Sequence, residues 1–169
     1  MAATLSMNGR VHQIHLKPKT GSERGLPKLP VPSAFVTRTG LAGDFNRWRH
    51  ENFNGDPDMA VLLLPFETLR QLNQEGWPVR PGDIGENITT DGVDYDAFRI
   101  GDKYKIGKQL LVEISKACQP CKNLYLLPYV GVEKGPLFLR AMLGRRGWYA
   151  RVLQEGPVQV GDELIQVLP

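Results

Sequence analysis

Turn-forming dipeptides divide this chain at short intervals, and that division is the strongest constraint on its fold. The pair Gly-Asp occurs five times, beginning at positions 43, 55, 82, 101 and 161. Glycine adopts positive φ angles at low cost and aspartate bonds to nearby backbone amides, so the pair is typical of tight turns. A chain interrupted this often favours many short strands over the alternating units of a parallel α/β sheet.

Short runs of apolar and β-branched residues lie between the turns and are predicted to be strands. Two stretches are predicted to be helical: "PFETLRQLNQE" at Pro65–Glu75, with Pro65 at the first helical position, and "PLFLRAML" at Pro136–Leu143. We therefore expect one mainly β domain over residues 1–169, barrel or sandwich, with a few short helices. The predicted strands are Val11–Leu16, Ala34–Thr37, Met59–Leu64, Asn87–Thr90, Leu110–Lys116, Tyr149–Leu153 and Leu164–Leu168.

Composition and charge narrow the class of protein. The chain is 41% hydrophobic and 23% charged, which are globular values. A net charge of +3 is too small to indicate a nucleic acid polymer as partner, but it fits a site for a small anion. No apolar run approaches the roughly 20 residues that span a bilayer, and the first residues lack the pattern of a secretory signal. We therefore expect a cytoplasmic protein without a membrane partner.

The least regular segment, "KPKTGSERGLPKLPVPS" at Lys17–Ser33, carries several basic residues among turn formers. One interpretation is a solvated surface loop, because most such segments are loops. The other is an anion-binding loop that presents Lys28 between prolines.

The only two cysteines lie in "VEISKACQPCKNLY". Leu110, Val112 and Ile114 alternate with polar residues, and this is the predicted core face of a strand. Because Pro120 has no amide hydrogen, the strand ladder is expected to end near Gln119. Cys121 would then follow a strand end, where a barrel delivers residues to its mouth.

Several roles are open for these thiols. Continued parity would place Lys116 and Cys118 on the core side, which favours Cys118 as a small buried side chain. A redox pair is disfavoured by the all-β surroundings. A zinc site would need ligands beyond the two thiols, and the only histidines are His12, His15 and His50.

An ordered set of segments resembles the MOSC domain, which was first described at the C-terminus of molybdenum cofactor sulfurases and also occurs as small bacterial proteins. The resemblance covers about residues 9–168. Its segments are "GLPKLPV", "GLAGDFNR", "DMAVLLLPFETL", "RPGDIGENITTDGVD", "IGDKYKIG", "LVEISKACQPCKNL" and "GRRGWYARVLQEGPVQVGDEL".

The resemblance implies a MOSC-type β-barrel and a molybdenum cofactor of the molybdopterin type. The cysteine after the proline, Cys121, is implied as the catalytic residue and metal ligand, whereas Cys118 falls outside the pattern. A thiolate is a suitable soft ligand for molybdenum. The implied cofactor-binding residues are Lys28, Arg38, Arg47, Glu86, Asn87 and Asn123. The basic ones are expected to converge on the phosphate of the cofactor.

One segment departs from the family pattern. Many relatives carry a His-Gly-Gly stretch before the Asp-x-Ala-Val run, but this chain reads "HENFNGDPDMAV". The role of His50 is therefore left open between a site residue and a loop histidine.

Two functions follow from the resemblance. The first is an oxidoreductase that reduces N-hydroxylated compounds, supplied by an external electron donor because no flavin, haem or iron–sulfur motif is visible. The second is a non-catalytic carrier of molybdenum cofactor, or of persulfide sulfur on Cys121 received from a sulfur donor protein. Any link to pyridoxal phosphate would come through such a partner, since the desulfurase domain of the longer sulfurases is absent. A third, weaker interpretation is a barrel that binds another phosphorylated small molecule.

Overall fold

The computed structural model describes residues 8–18, 26–45 and 55–169. Eleven strands lie in these ranges, and they confirm a mainly β fold. The strands are β1 (Asn8–Leu16), β2 (Leu29–Val31), β3 (Ser33–Thr37), β4 (Gly40–Leu41), β5 (Val61–Pro65), β6 (Ile88–Asp91), β7 (Lys103–Ile106), β8 (Leu110–Ala117), β9 (Trp148–Gln154), β10 (Gly156–Gln159) and β11 (Glu163–Val167).

Seven of these strands close into a barrel. The order is β1-β11-β7-β8-β9-β5-β6, and β6 pairs with β1 to complete the circle. The β5–β6 pair is parallel, and the other pairs in the circle are antiparallel. β2 extends the sheet along β1, and β10, β3 and β4 form a separate small sheet. Closure removes the exposed edges that an open sheet would present.

Two α-helices lie in the part of the chain that the structure describes, and both were predicted. Helix α1 spans Phe66–Gln74, with Pro65 as the extended capping residue and not the first helical one. Helix α2 spans Gly131–Met142 and begins before the predicted start at Pro136. Gly135 packs so closely on the ring of Tyr125 that any side chain there would overlap it. The early turn of α2 was missed because it is flanked by glycines.

Four strands were not predicted, for identifiable reasons. β7 reads Lys-Tyr-Lys-Ile, so only two of its side chains are apolar, and both point into the core. β2 and β10 contain proline, which argues against a strand except at a sheet edge. β4 has only two residues.

The buried side chains of the described residues form two clusters. One fills the barrel and the other packs α1 and α2 against its outside. Burying each large aliphatic side chain contributes about 1.5–3 kcal/mol. Members of the barrel cluster include Ile14, Leu63, Ile88, Tyr104 and Val112; members of the outer cluster include Leu64, Leu69, Leu72, Phe138 and Met142.

Strand β8 matches its predicted core face but not its predicted continuation. Leu110, Val112 and Ile114 are fully buried. The pairing of β8 with β9 shifts register between Ile114 and Lys116, which is a β-bulge. The expectation that Lys116 shares the core side is therefore wrong: its ammonium is 3.2 Å from Asp56 and its side chain is 41% exposed.

No helix among the described residues is long and apolar enough to cross a membrane.

Candidate functional site

Cys121 lies just beyond the end of β8. The last ladder bond runs from the Cys118 amide to the Gly147 carbonyl oxygen, at 2.8 Å. Pro120 offers no further donor, and the chain turns at Cys121 into a short 3₁₀ helix, Lys122–Leu126. The Cys121 side chain is half-buried, as is that of Asn123 within the 3₁₀ helix. The thiol of Cys121 therefore sits at the barrel rim.

Cys118 has a different environment. It is 7% exposed and belongs to the buried apolar residues. Tyr149, which pairs with Lys116 across β8 and β9, has Cys118 as a side-chain neighbour, and burial together with Cys118 raises the pKa of the Tyr149 hydroxyl. Both cysteines are free thiols. The three-residue spacing thus places one thiol inward and the other at the rim.

Glu86 precedes β6 and is completely buried. One carboxyl oxygen, Oε1, accepts from the Gly82 amide at 2.5 Å, and Oε2 has no hydrogen-bond partner among the described residues. Burial raises the pKa of Glu86 to about 8. The side chain is therefore mainly a neutral carboxylic acid at neutral pH, and it holds a proton.

Asn87 links the start of β6 to strand β5 and to the distant loop that carries Asp44. Its Oδ1 accepts from the Leu62 amide at 3.0 Å, and its Nδ2 donates to Asp44 Oδ2 at 2.9 Å. The same Asp44 oxygen accepts from Lys28 Nζ at 2.7 Å, while Oδ1 accepts from the Lys17 amide at 2.8 Å. The structure therefore brings Lys28 and Asn87 together through Asp44, a residue that sequence analysis did not single out.

His15 is a second residue that sequence analysis treated only as a zinc alternative. It is fully buried in β1. Its Nδ1 lies 3.2 Å from the Glu86 carbonyl oxygen, so Nδ1 carries the proton, and Nε2 is left without a partner among the described residues. Burial lowers the pKa of His15 to about 4, so the ring is neutral at neutral pH.

Arg146 is the third residue that sequence analysis did not assign to the site, after Asp44 and His15. It lies in the turn between α2 and β9. It is 7% exposed, and its Nε and Nη1 have no hydrogen-bond partner among the described residues. Its charge interacts with Cys118, Tyr149, Cys121 and Glu86. Arg146 therefore connects electrostatically the cysteine segment with the loop before β6.

Other predicted residues lie elsewhere or outside the described ranges. Arg38 is exposed; its Nη1 donates to the Val152 carbonyl oxygen at 3.1 Å and its amide donates to Glu155 at 2.8 Å. These contacts hold it at the end of β9, apart from the bonds that join Lys28 to Asn87. Arg47 and His50 fall in the undescribed residues 46–54. Convergence of the three basic residues stays a prediction.

Two further observations bound the site. Within residues 8–18, 26–45 and 55–169, no three His, Cys, Asp or Glu side chains are grouped so that they could hold a metal ion. A surface groove at the far end of β6 is lined by Asn8, Gly9, Arg10, Asp91, Gly92, Glu163 and Ile165. That groove contains none of the predicted site residues.

Comparison with known protein families decides the identity of the fold. A family model described as the MOSC domain matches residues 50–165. The chain belongs to the MOSC domain family. The matched part contains Cys121, Glu86, Asn87 and Arg146, whereas Lys28 lies before it. The resemblance that the sequence segments indicated is thereby confirmed, together with the MOSC-type barrel.

Individual relatives agree with this assignment. The MOSC protein is 30% identical over 153 residues to YflK of Bacillus subtilis, and the match covers 84% of this chain and 62% of YflK. It is 35% identical over 137 residues to a Gibberella moniliformis protein named reductase, which covers 77% of this chain and 23% of that protein. The crystal structure of YiiM from Geobacillus stearothermophilus superimposes with a TM-score of 0.70 at 30% identity, covering 95% of this chain and 75% of that one. The chain thus spans less than two thirds of the curated relatives it matches.

The residues that sequence analysis missed carried only weak signals. Asp44 is one of five similar Gly-Asp pairs, and Arg146 is the second of two adjacent arginines in "GRRGWYAR". Nothing local distinguishes the buried arginine from its half-buried neighbour, Arg145. Only the packing of the turn against β5 and β8 separates them.

Proposed function

We propose that this MOSC protein binds molybdenum cofactor with Cys121 as the metal ligand and reduces N-hydroxylated compounds. The observation that carries the proposal is the half-buried thiol of Cys121 at the barrel rim, beside the buried guanidinium of Arg146. A thiolate is a preferred ligand for a soft metal, and a rim position leaves it accessible to a large ligand.

Unpaired polar groups in the turn before β9, in the loop before β6 and in β1 fit a cofactor with a pterin and a phosphate. Buried donors and acceptors are normally paired, so each orphaned one indicates a missing partner. Arg146 offers unpaired donors, His15 Nε2 an unpaired acceptor, and Glu86 an unpaired carboxyl oxygen. The proposed cofactor-binding residues remain Lys28, Arg38, Arg47, Glu86, Asn87 and Asn123, with Arg146 and His15 added.

Within this proposal, Lys28 has an indirect role in cofactor binding. Its ammonium is almost fully buried and is paired with Asp44. We propose that it shapes the loop beside the cofactor, and that exposed basic residues make the first contact with a phosphate. Charge-assisted bonds from a guanidinium are well suited to that contact.

Bound molybdenum cofactor would supply the exchange of two electrons. Reduction of an N–OH group to N–H also consumes two protons and releases water, with the electrons coming from an external donor. Glu86 holds a proton at neutral pH in a fully buried position, because burial raises its pKa to about 8. Glu86 is therefore the proposed proton reservoir of the site. His15 is neutral, and its Nε2 is an unpaired acceptor beside the loop that carries Glu86.

The reductase name of the Gibberella moniliformis relative supports the reaction class. The sequences are 35% identical where they match, although the match covers only 23% of that protein. The remainder of that relative lies outside the match. An external electron donor for this chain is therefore part of the proposal.

The experiment that tests the proposal begins with protein made in a host that synthesises molybdenum cofactor. Molybdenum content and pterin fluorescence are measured on wild type and on Cys121→Ser. Turnover of an N-hydroxylated base is then measured with a chemical reductant. Wild-type protein that is folded, lacks both molybdenum and pterin, and shows no turnover would overturn the proposal.

A second function is favoured by the accessibility of Cys121, which is half-buried whereas Cys118 is sealed. In this alternative the protein carries persulfide sulfur on Cys121, or the cofactor itself, for another enzyme. A sulfur donor protein, itself dependent on pyridoxal phosphate, would load the thiol. Incubation with a cysteine desulfurase and cysteine would then add the mass of one sulfur atom to wild type but not to Cys121→Ser, without substrate turnover.

A further inference from the structure

Helix α2 presents apolar side chains to solvent. Among the large apolar side chains of the described residues, Val132 in α2 is the most exposed, at 80%. Leu143, which caps the C-terminus of the same helix, is 62% exposed. Between them, Pro136 is exposed and Leu139 is half-buried. Single exposed apolar residues are ordinary, but a contiguous apolar patch marks an interaction surface.

These residues form one continuous stripe along the helix. They follow the spacing i, i+4, i+7, i+11, which keeps them within about 60° of one another around the helix axis. The residues that α2 buries in the outer core cluster occupy the adjacent face. The spacing is that of the apolar seam of a coiled coil, along which a second helix packs. The α2 stripe is therefore defined as Val132, Pro136, Leu139 and Leu143.

Two exposed charges, Glu133 and Arg140, flank the α2 stripe on the same side. They are seven residues apart and so occupy equivalent positions beside the seam, about 10.5 Å apart along the axis. Neither of them has an ion-pair partner within the described part of the chain. In a coiled coil, charges at such flanking positions set the partner and the direction of the second helix.

A second copy of α2 complements these charges when it runs antiparallel to the first. Val132 then lies opposite Leu143 of the second copy, and Glu133 lies beside Arg140 of the second copy. A two-fold axis repeats both contacts, and two-fold dimers have the commonest symmetry of protein oligomers. In a parallel pair, Glu133 and Arg140 would instead face uncharged residues of the second copy. The charge pattern is thus complementary to itself in one direction only.

We propose that the α2 stripe is the interface of a homodimer in which two α2 helices pack antiparallel. Dimerisation removes from water the apolar side chains that the monomer exposes there. Two helices of 12 residues make a contact smaller than a standard protein interface, so the dimer is weak and reversible. The interface goes beyond the proposed function, because it requires neither molybdenum cofactor nor reductase activity.

Reversal of the flanking charges tests the antiparallel pairing. Sedimentation equilibrium at low ionic strength measures dimerisation, and for wild type we expect a Kd on the order of 0.1 mM. Glu133→Arg and Arg140→Glu should each raise the Kd about tenfold, because each turns both contacts into like-charge pairs. An equimolar mixture of the two variants should dimerise as well as wild type, because every contact then joins opposite charges.

Two leucines of α2 provide a matched pair of substitutions. Leu143 lies in the stripe, whereas Leu137 is 59% exposed and lies about 120° away around the helix. We expect Leu143→Gln to raise the Kd about a hundredfold, because the apolar contact is lost twice in a two-fold dimer. Leu137→Gln should leave the Kd unchanged. Circular dichroism and thermal unfolding verify that both variants are folded.

Three outcomes overturn the proposal. Wild type that stays monomeric at about 1 mM leaves the stripe to a helix of a different protein. A dimer that persists unchanged in Leu143→Gln, or that Leu137→Gln weakens equally, uses another face. Charge-reversed variants that are monomeric singly and stay monomeric when mixed contradict the antiparallel pairing. The mixture needs no separate folding control when it dimerises, because only folded variants can restore the interface.

Discussion

The ammonium of Lys28 lies 2.7 Å from the carboxylate of Asp44, and the two side chains are only 3% and 6% exposed. An ion pair this deeply buried is stable only when its remaining polar atoms are also bonded. Asp44 meets that requirement, since its two oxygens also accept from Asn87 and from the Lys17 amide. The pair therefore joins β1, the loop before β2 and the start of β6 in one polar network.

Removing the shared acceptor should destabilise the fold strongly. Asp44→Ala deprives Lys28 and Asn87 of a common partner, and we expect it to lower the free energy of unfolding by about 3 kcal/mol. Urea unfolding followed by tryptophan fluorescence measures the change. Asp94→Ala is the control, because that exposed side chain makes no capping bond and its loss should change stability by less than about 0.5 kcal/mol. Equal effects of the two variants would contradict the structural role of Asp44.

The buried acid Glu86 should make stability decrease with pH. Burial raises the pKa of Glu86 from 4.5 to about 8. The stabilisation of the folded state that protonated Glu86 provides is therefore complete below pH 4.5 and is lost as pH rises through 8. Burial lowers the pKa of His15 from 6.5 to about 4, so its contribution is complete above pH 6.5 and is lost as pH falls toward 4.

Of these two residues, only Glu86 therefore changes the free energy of unfolding between pH 6.5 and 8. Over that window we expect wild type to lose about 1 kcal/mol per pH unit and Glu86→Gln to lose much less. Chemical unfolding at several pH values checks this, with Glu133→Gln on the exposed face of α2 as control. A wild-type profile that is flat or rises over the window would show that Glu86 is ionised in the folded protein.

Two glycines near β9 provide a graded test of the turn that carries Arg146. Gly147 has a φ of +127°, and a methyl group there would meet the Leu63 carbonyl oxygen and Leu62 Cδ1, each at 3.0 Å. Gly144 has a φ of +74° and open space around it. We expect Gly144→Ala to cost about 1 kcal/mol and Gly147→Ala about 3 kcal/mol, since only the latter adds steric overlap to backbone strain. Thermal unfolding of both variants measures the difference, which should vanish if β5 can move away.

Substitutions of the two cysteines should have different effects on molybdenum content. Cys121→Ser is expected to remove molybdenum from protein made in a competent host while leaving the unfolding transition in place. Cys118→Ser should retain the metal but lose about 1–2 kcal/mol, because a hydroxyl replaces a buried thiol that packs as an apolar group. Full molybdenum in folded Cys121→Ser would remove the ligand assignment. Complete loss in Cys118→Ser would mean that the thiols act as a pair.

Strand β8 shows how far local pattern extends and where it ends. The alternation from Leu110 to Ile114 identified the buried face, and Pro120 marked the end of the ladder. The outward position of Lys116 was not predictable, because the bulge involves groups that are distant in sequence. They are β9, which pairs with β8, and the Asp58 carbonyl oxygen, which accepts from the Ser115 hydroxyl. A one-residue register shift leaves no mark on composition, yet it exchanges the two faces of a strand.

The sequence by itself determined the mainly β architecture, the family and the positions of Cys121, Glu86 and Asn87 within named segments, because turn chemistry and motif order are local properties. Only the tertiary structure decided which charges are compensated. It paired Lys28 with Asp44, kept Glu86 mainly protonated at neutral pH and left Nε and Nη1 of Arg146 without a hydrogen-bond partner among the described residues. Burial and pairing depend on atoms that are distant along the chain and adjacent only after the barrel closes, so no stretch of sequence contains them.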